Sequence, residues 1–138
     1  MAARAVFLDT SCLIALLRSQ DHLHVKARRV LRDLAKGRTP FITTDWVLAE
    51  FLAGMAGPAM RVAAADAAAT LLNDSSVEVI EASRSGFIAA LDLYRSRTDK
   101  AWSLVDCSSM QVCRERGLKR VFTHDRHFQQ AGFEVLLR

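Results

Sequence analysis

At 138 residues the chain is long enough for one domain, spanning 1–138, to bury a core without disulfide or metal staples. Its 51% hydrophobic and 25% charged content excludes a disordered chain, and no apolar run approaches the ~18–20 residues of a membrane span. The net charge is only +4, but 15 of the 19 basic residues are Arg, which points either to a phosphate-bearing partner or to a composition bias.

The first element is a short apolar strand, Ala5–Leu8, and no secretory leader is expected ahead of it. A helix over Ser11–Arg18 follows. The next, His22–Lys36, has Val25, Val30, Leu31 and Leu34 on one side and Gly37 just past its end. Pro40–Thr43 reads as a second strand. Thr43 or Thr44 then caps a helix over Trp46–Ala53, which Gly54 to Pro58 terminates. An Ala-rich helix, Ala59–Leu72, leads to a third strand, Val77–Ile80, and to a helix over Arg84–Arg97 with Phe87, Leu91 and Tyr94 on one face. Ser103 or Leu104 opens a helix that stops at Gly117. Arg120–Thr123 is a fourth strand, Arg126–Ala131 a short helix and Glu134–Leu137 a closing strand. Short apolar strands alternating with helices predict an α/β fold, with a mainly parallel sheet between two helical layers.

Four acids interrupt apolar stretches: Asp9 after Val6-Phe7-Leu8, Glu50 between Trp46-Val47-Leu48-Ala49 and Phe51-Leu52-Ala53, Asp106 after Leu104-Val105, and Asp125 after Val121-Phe122-Thr123-His124. An ionised carboxylate in such a setting is costly unless a positive charge compensates it. No Lys or Arg lies within four residues of Glu50 or Asp106, so a divalent cation held by oxygen ligands is the natural candidate. Asp9 and Asp125 fall just beyond the carboxyl ends of strands, where open α/β sheets bind ligands. Each acid but one also has a local reading. Asp106 completes a capping signature with Ser103, and Asp9 and Asp125 stand at N-cap positions. Glu50 lies inside a helix with apolar flanks, where neither a cap nor a surface position is expected. Asp99, between Thr98 and Lys100, reads as part of a solvated turn.

Histidines at His22-x-His24 and His124-x-x-His127 have ligand-like spacing, but no Cys or third His accompanies either, which argues against zinc. His127 is expected to pack over the short helix with Phe128, and His124 is a lesser candidate to approach substrate. The odd set Cys12, Cys107 and Cys113 lacks any C-x-x-C spacing, which fits buried thiols in a reducing cytoplasm.

The string from Phe7-Leu8-Asp9-Thr10-Ser11 to Leu16 resembles the opening of PIN-domain ribonucleases, in particular the VapC-type toxins. Thr43-Thr44-Asp45-Trp46-Val47-Leu48-Ala49-Glu50, Trp102-Ser103-Leu104-Val105-Asp106-Cys107 and Val121-Phe122-Thr123-His124-Asp125-Arg126-His127-Phe128 match the same family in order and approximate spacing. The resemblance implies a PIN-like three-layer α/β/α sandwich. It makes Asp9, Glu50, Asp106 and Asp125 a metal-holding quartet, with Thr10, Ser11 and Thr123 as polar helpers and Asp99 as a looser match. It implies Mg²⁺ or Mn²⁺ as the metal, hydrolysis of RNA phosphodiesters without a covalent intermediate, a homodimer, and a small antitoxin partner in the cytoplasm. Lys100, Arg126 and Arg97 are the cations nearest these motifs and candidates for the RNA backbone. A PIN nuclease of RNA processing and a non-catalytic PIN-like RNA-binding or scaffold module remain the alternatives. A dehalogenase-type phosphatase does not fit, because Ser11 stands where its second Asp is needed, and a receiver domain leaves Glu50 unexplained.

Overall fold

The computed structural model describes residues 4–138; Met1–Ala3, which lead into the first strand, lie outside the described residues. In chain order the elements are β1 (Val6–Leu8), α1 (Thr10–Leu17), α2 (His24–Lys36), β2 (Phe41–Thr44), α3 (Asp45–Gly54), α4 (Arg61–Asn73), β3 (Val77–Ile80), α5 (Arg84–Ser96), α6 (Leu104–Arg116), β4 (Arg120–Phe122), α7 (Arg126–Gln130) and β5 (Glu134–Val135). The strands form one sheet in the order β3-β2-β1-β4-β5, with every pairing parallel. Successive side chains of a strand point to opposite faces, and Val6, Phe7 and Leu8 are all buried. The sheet is therefore covered by helices on both sides, as the expected three-layer sandwich requires.

The chain winds outward from β1 through β2 to β3, then returns to lay β4 on the other flank of β1. That reversal opens a crevice at the carboxyl ends of β1 and β4. Two contacts hold its floor: Asp9 N–H donates to Phe122 O at 3.3 Å, and the buried Thr43 hydroxyl donates to Leu8 O at 2.9 Å. Around the sheet, Phe7, Phe51, Phe122, Phe128 and Met110 are fully buried and form the centre of the core.

Local signals explain the helix ends. Thr44 caps α3 by accepting from Val47 N–H at 3.1 Å. Gly117 closes α6 at φ 67°, a left-handed conformation that side chains with a Cβ resist. Two expectations need correction. Val25 is not on the buried side of α2 but 77% exposed, because the helix seats on Ala27 and Leu34. The closing strand is regular only over Glu134–Val135, although Leu136 N–H and Leu137 N–H still bond Val121 O and Thr123 O as the chain bends across the end of β4. All three cysteines are free and buried, and burial pushes the Cys113 thiol up to about 12.

Candidate metal centre

Asp9 directly follows β1 and occupies the N-cap position of α1, yet its side chain makes no capping bond. Its carboxylate Oδ2 instead accepts from Thr123 Oγ1 at 2.7 Å. Since Thr123 has one hydroxyl proton, its 2.8 Å contact with Ser11 Oγ must run from Ser11 to Thr123. Thr123 Oγ1 also accepts from Asp125 N–H at 3.1 Å, and Ser11 Oγ from His124 N–H at 3.0 Å. The result is a directed relay, Ser11 to Thr123 to Asp9, that ties the start of α1 to the end of β4 with every hydroxyl satisfied.

Burial is the main cause that pushes the Asp9 carboxyl from its ordinary 3.8 up to about 7. Bonds from the Thr123 hydroxyl and the Thr10 N–H pull it down, and the charges of Asp106 and Glu50 push it up further. Asp106 and Glu50 are thus both within electrostatic reach of Asp9, and no basic side chain is among the groups acting on it.

Glu50 comes from the second turn of α3 and is half-buried, held by Thr10 Oγ1, which donates to its Oε1 at 2.5 Å. Asp106 makes the helix cap expected of it. Its Oδ2 accepts from Ser103 N–H at 3.0 Å while Ser103 Oγ accepts from Asp106 N–H at 3.0 Å, a complete capping box. The same Oδ2 lies 2.9 Å from His127 Nδ1. Asp125 caps α7 by accepting from His127 N–H at 2.9 Å, and its Oδ1 is 3.3 Å from the same ring nitrogen. One ligand atom each from Asp106, Asp125 and His127 lie within 4.8 Å of one another, the one such group among the described residues.

His127 was not foreseen at the centre. The spacing Asp125-x-His127 was its only signal: a cap that holds the His127 N–H also brings that residue's side chain beside the carboxylate. His124, expected toward substrate, instead sets Nδ1 3.1 Å from Leu137 O and meets the His22 ring edge-on at 6.0 Å. His24 Nδ1 sits 2.7 Å from Ala15 O.

Asp99 lies in the exposed loop before α6, bound by both Arg97 donors at 3.0 Å, with Lys100 at 3.9 Å. The Arg97 hydrogen bond is the main cause that holds its carboxyl down at about 2. Arg97 also stacks on Trp102 at 4.8 Å. With Tyr94, Arg95 and Lys100 these residues line a cavity of about 700 Å³ that ends at Ser103, the residue held by Asp106.

A divalent cation fits this arrangement on its donor set. Asp106 and Glu50 stand near Asp9 without a basic partner there, and a cation would offset the burial and repulsion that raise the Asp9 carboxyl.

The family model described as "PIN domain" matches residues 6–134. In three dimensions the chain is similar to the crystal structure of Mycobacterium tuberculosis VapC20, a toxin that cleaves the sarcin–ricin loop. The TM-score is 0.82 at 27% identity, over 94% of this chain and 96% of that one. No curated protein matches the sequence.

Proposed function

The chain belongs to the PIN-domain family and is an endoribonuclease of the VapC toxin type, and from that premise we propose that Asp9, Glu50, Asp106 and Asp125 together hold the divalent metal on which its hydrolysis of RNA depends. The observation that carries this reading is the buried Asp9, raised to about 7 beside Asp106 and Glu50 with no Lys or Arg to offset it. An oxygen-rich set of this kind suits Mg²⁺ or Mn²⁺. Such an ion supplies positive charge for the scissile phosphate and lowers the pKa of a water.

The chain's own groups hold the acids ready. Thr123, backed by Ser11, fixes Asp9; Thr10 fixes Glu50; the Ser103 N–H fixes Asp106; and the His127 N–H fixes Asp125. Because each carboxylate has its donor before any cation arrives, little reorganisation is left for binding. On the flank, Arg97 and Lys100 line the cavity next to Ser103 and the exposed Arg126 opens α7, which suits them to the RNA backbone.

A homodimer is the expected assembly. Exposed apolar side chains on α4 (Val62, Leu72) and α5 (Ile88, Tyr94) support it, since a two-fold interface would cover them. A small antitoxin is the expected partner, able to neutralise the crevice by presenting Arg or Lys to the acids. The cytoplasm, where such RNA resides, is the expected compartment. No helix among the described residues is long and apolar enough to cross a membrane.

A stem-loop RNA carrying the sarcin–ricin sequence is the first substrate to try, because the similar VapC20 cleaves that loop. The expected result is endonucleolytic cleavage with Mg²⁺ or Mn²⁺, none in chelator, and none by a folded Asp106→Asn variant. Metal-independent cleavage, or full activity in Asp106→Asn, would defeat the assignment.

A further inference from the structure

We propose that His127 is a metal ligand: its Nδ1 joins Asp106 and Asp125 in the coordination sphere and turns a carboxylate site into a mixed nitrogen–oxygen site that favours Mn²⁺ over Mg²⁺. The inference rests on the reading of the acidic quartet as a metal centre and adds a donor to it.

The geometry carries it. His127 Nδ1 lies 2.9 Å from Asp106 Oδ2 and 3.3 Å from Asp125 Oδ1. Adjacent ligands of an octahedral ion with bonds near 2.1 Å are separated by about 3.0 Å. Both spacings suit adjacent positions around one cation, and one ligand atom from each of the three residues lies within 4.8 Å of the others.

The ring is also unlike its counterparts. Nδ1 of His24 and of His124 each faces a backbone carbonyl, a bond that satisfies a half-buried imidazole without any ion. That of His127 faces two carboxylates, and its side chain is 29% exposed, leaving the site open to an ion from solvent. Its place is set from below, because its own N–H is bound by Asp125, one of the two acids it faces. One sphere would thus draw on α6 through Asp106 and on α7 through Asp125 and His127.

The chemical consequence is selectivity. Mg²⁺ takes oxygen ligands and keeps its waters, whereas imidazole binds first-row transition ions well. A nitrogen donor therefore moves preference from Mg²⁺ toward Mn²⁺. The rival arrangement is an imidazole that only hydrogen-bonds the two acids and must be pushed aside by an incoming ion. The two differ in sign: removal of a ligand weakens metal binding, and removal of a competitor strengthens it.

Pulsed electron paramagnetic resonance of the full-length protein loaded with Mn²⁺ distinguishes them. The expected spectrum has the coupling of a directly bound imidazole nitrogen, altered by ¹⁵N-histidine labelling and lost in His127→Asn. Titration should show that variant binding Mn²⁺ at least about tenfold more weakly, with a smaller loss for Mg²⁺. Bound Mn²⁺ without nitrogen coupling in the wild-type protein, coupling that persists in His127→Asn, or tighter Mn²⁺ binding by the variant would each overturn the assignment while leaving the quartet intact. Failure of the wild-type protein to bind Mn²⁺ at all would overturn the quartet reading with it. The deciding spectrum is taken on the wild-type protein, so a variant that fails to fold does not remove the test.

Discussion

Asp9 and Asp99 are the same residue type in opposite circumstances. Asp99 lies on the surface, gripped by Arg97, and its carboxyl is held down at about 2. Asp9 is buried at the carboxyl end of the central strand β1 with other acids for neighbours, and its carboxyl is pushed up to about 7. Glu78 on the edge strand β3 sides with Asp99: Arg116 meets both its oxygens, at 2.9 and 2.7 Å, and lowers its pKa. An acid that the fold has already neutralised with Arg is structural, and its surface pairing contributes little. One that the fold buries and leaves uncompensated is waiting for something from outside.

The largest effect expected from that contrast is on turnover. Asp9→Asn and Asp106→Asn should each lower RNA cleavage about a thousandfold or more, since charge stabilisation by a bound metal contributes several kcal/mol to the transition state. Asn keeps an oxygen for the Ser103 N–H, so the Asp106 variant should retain its helix cap and its circular dichroism spectrum. Asp99→Asn should leave both turnover and melting temperature unchanged; a large loss of turnover would move Asp99 into the centre.

Next comes the coupling of pH and metal. Asp9 is protonated more readily in the fold than at its ordinary 3.8, so in chelator the fold favours the uncharged form. Its contribution is fully present below pH 3.8 and is lost as pH rises through about 7. The ceiling of that loss is on the order of 4 kcal/mol, and solvent penetration will reduce it. Urea titrations in chelator should therefore show wild-type stability falling across this window, with a flatter curve for Asp9→Asn. At pH 7, Mg²⁺ or Mn²⁺ at a hundred times its Kd should restore about 2.7 kcal/mol to the wild-type protein and much less to the variant. A stability curve unaffected by metal in an active protein would break the contrast altogether.

Smaller effects test the supports. Thr123→Val cuts the relay at its middle, leaving Asp9 and Ser11 without their shared partner. It should cost about 1–3 kcal/mol of stability and about ten- to a hundredfold in metal affinity, as read by denaturation and calorimetry. The smallest change concerns Ser109, whose buried hydroxyl has no hydrogen-bond partner among the described residues. Ser109→Ala should leave cleavage unchanged and raise stability by roughly 1 kcal/mol at most.

Much of this was legible in the sequence because its causes are local. Alternating short apolar runs and amphipathic stretches specify a parallel sheet clothed by helices. Ser103 with Asp106, Thr44 and Gly117 mark helix ends through bonds and torsions that involve only a few neighbouring residues. An acid inside an apolar stretch marks itself, since the chain nearby offers nothing to neutralise it. The family strings added which four acids to group.

What depended on packing was not legible. The exposure of Val25 follows from the rotation at which α2 seats on the core, which the period of its apolar residues leaves open by part of a turn. Capping and metal binding by Asp106 are rival explanations on the linear chain, but its carboxyl proves able to face the Ser103 N–H and the His127 ring together. The rise of Asp9 comes from desolvation by the whole fold and from Asp106 and Glu50, far away in sequence. The direction of the His127 ring depends on α7 standing against α6. The sequence by itself determined the elements, most of their ends and which acids stand in apolar stretches, because backbone propensity and hydrophobic period act over a few residues. Only the tertiary structure decided which donors meet and how their charge is tuned, because electrostatics and solvent exclusion act through space.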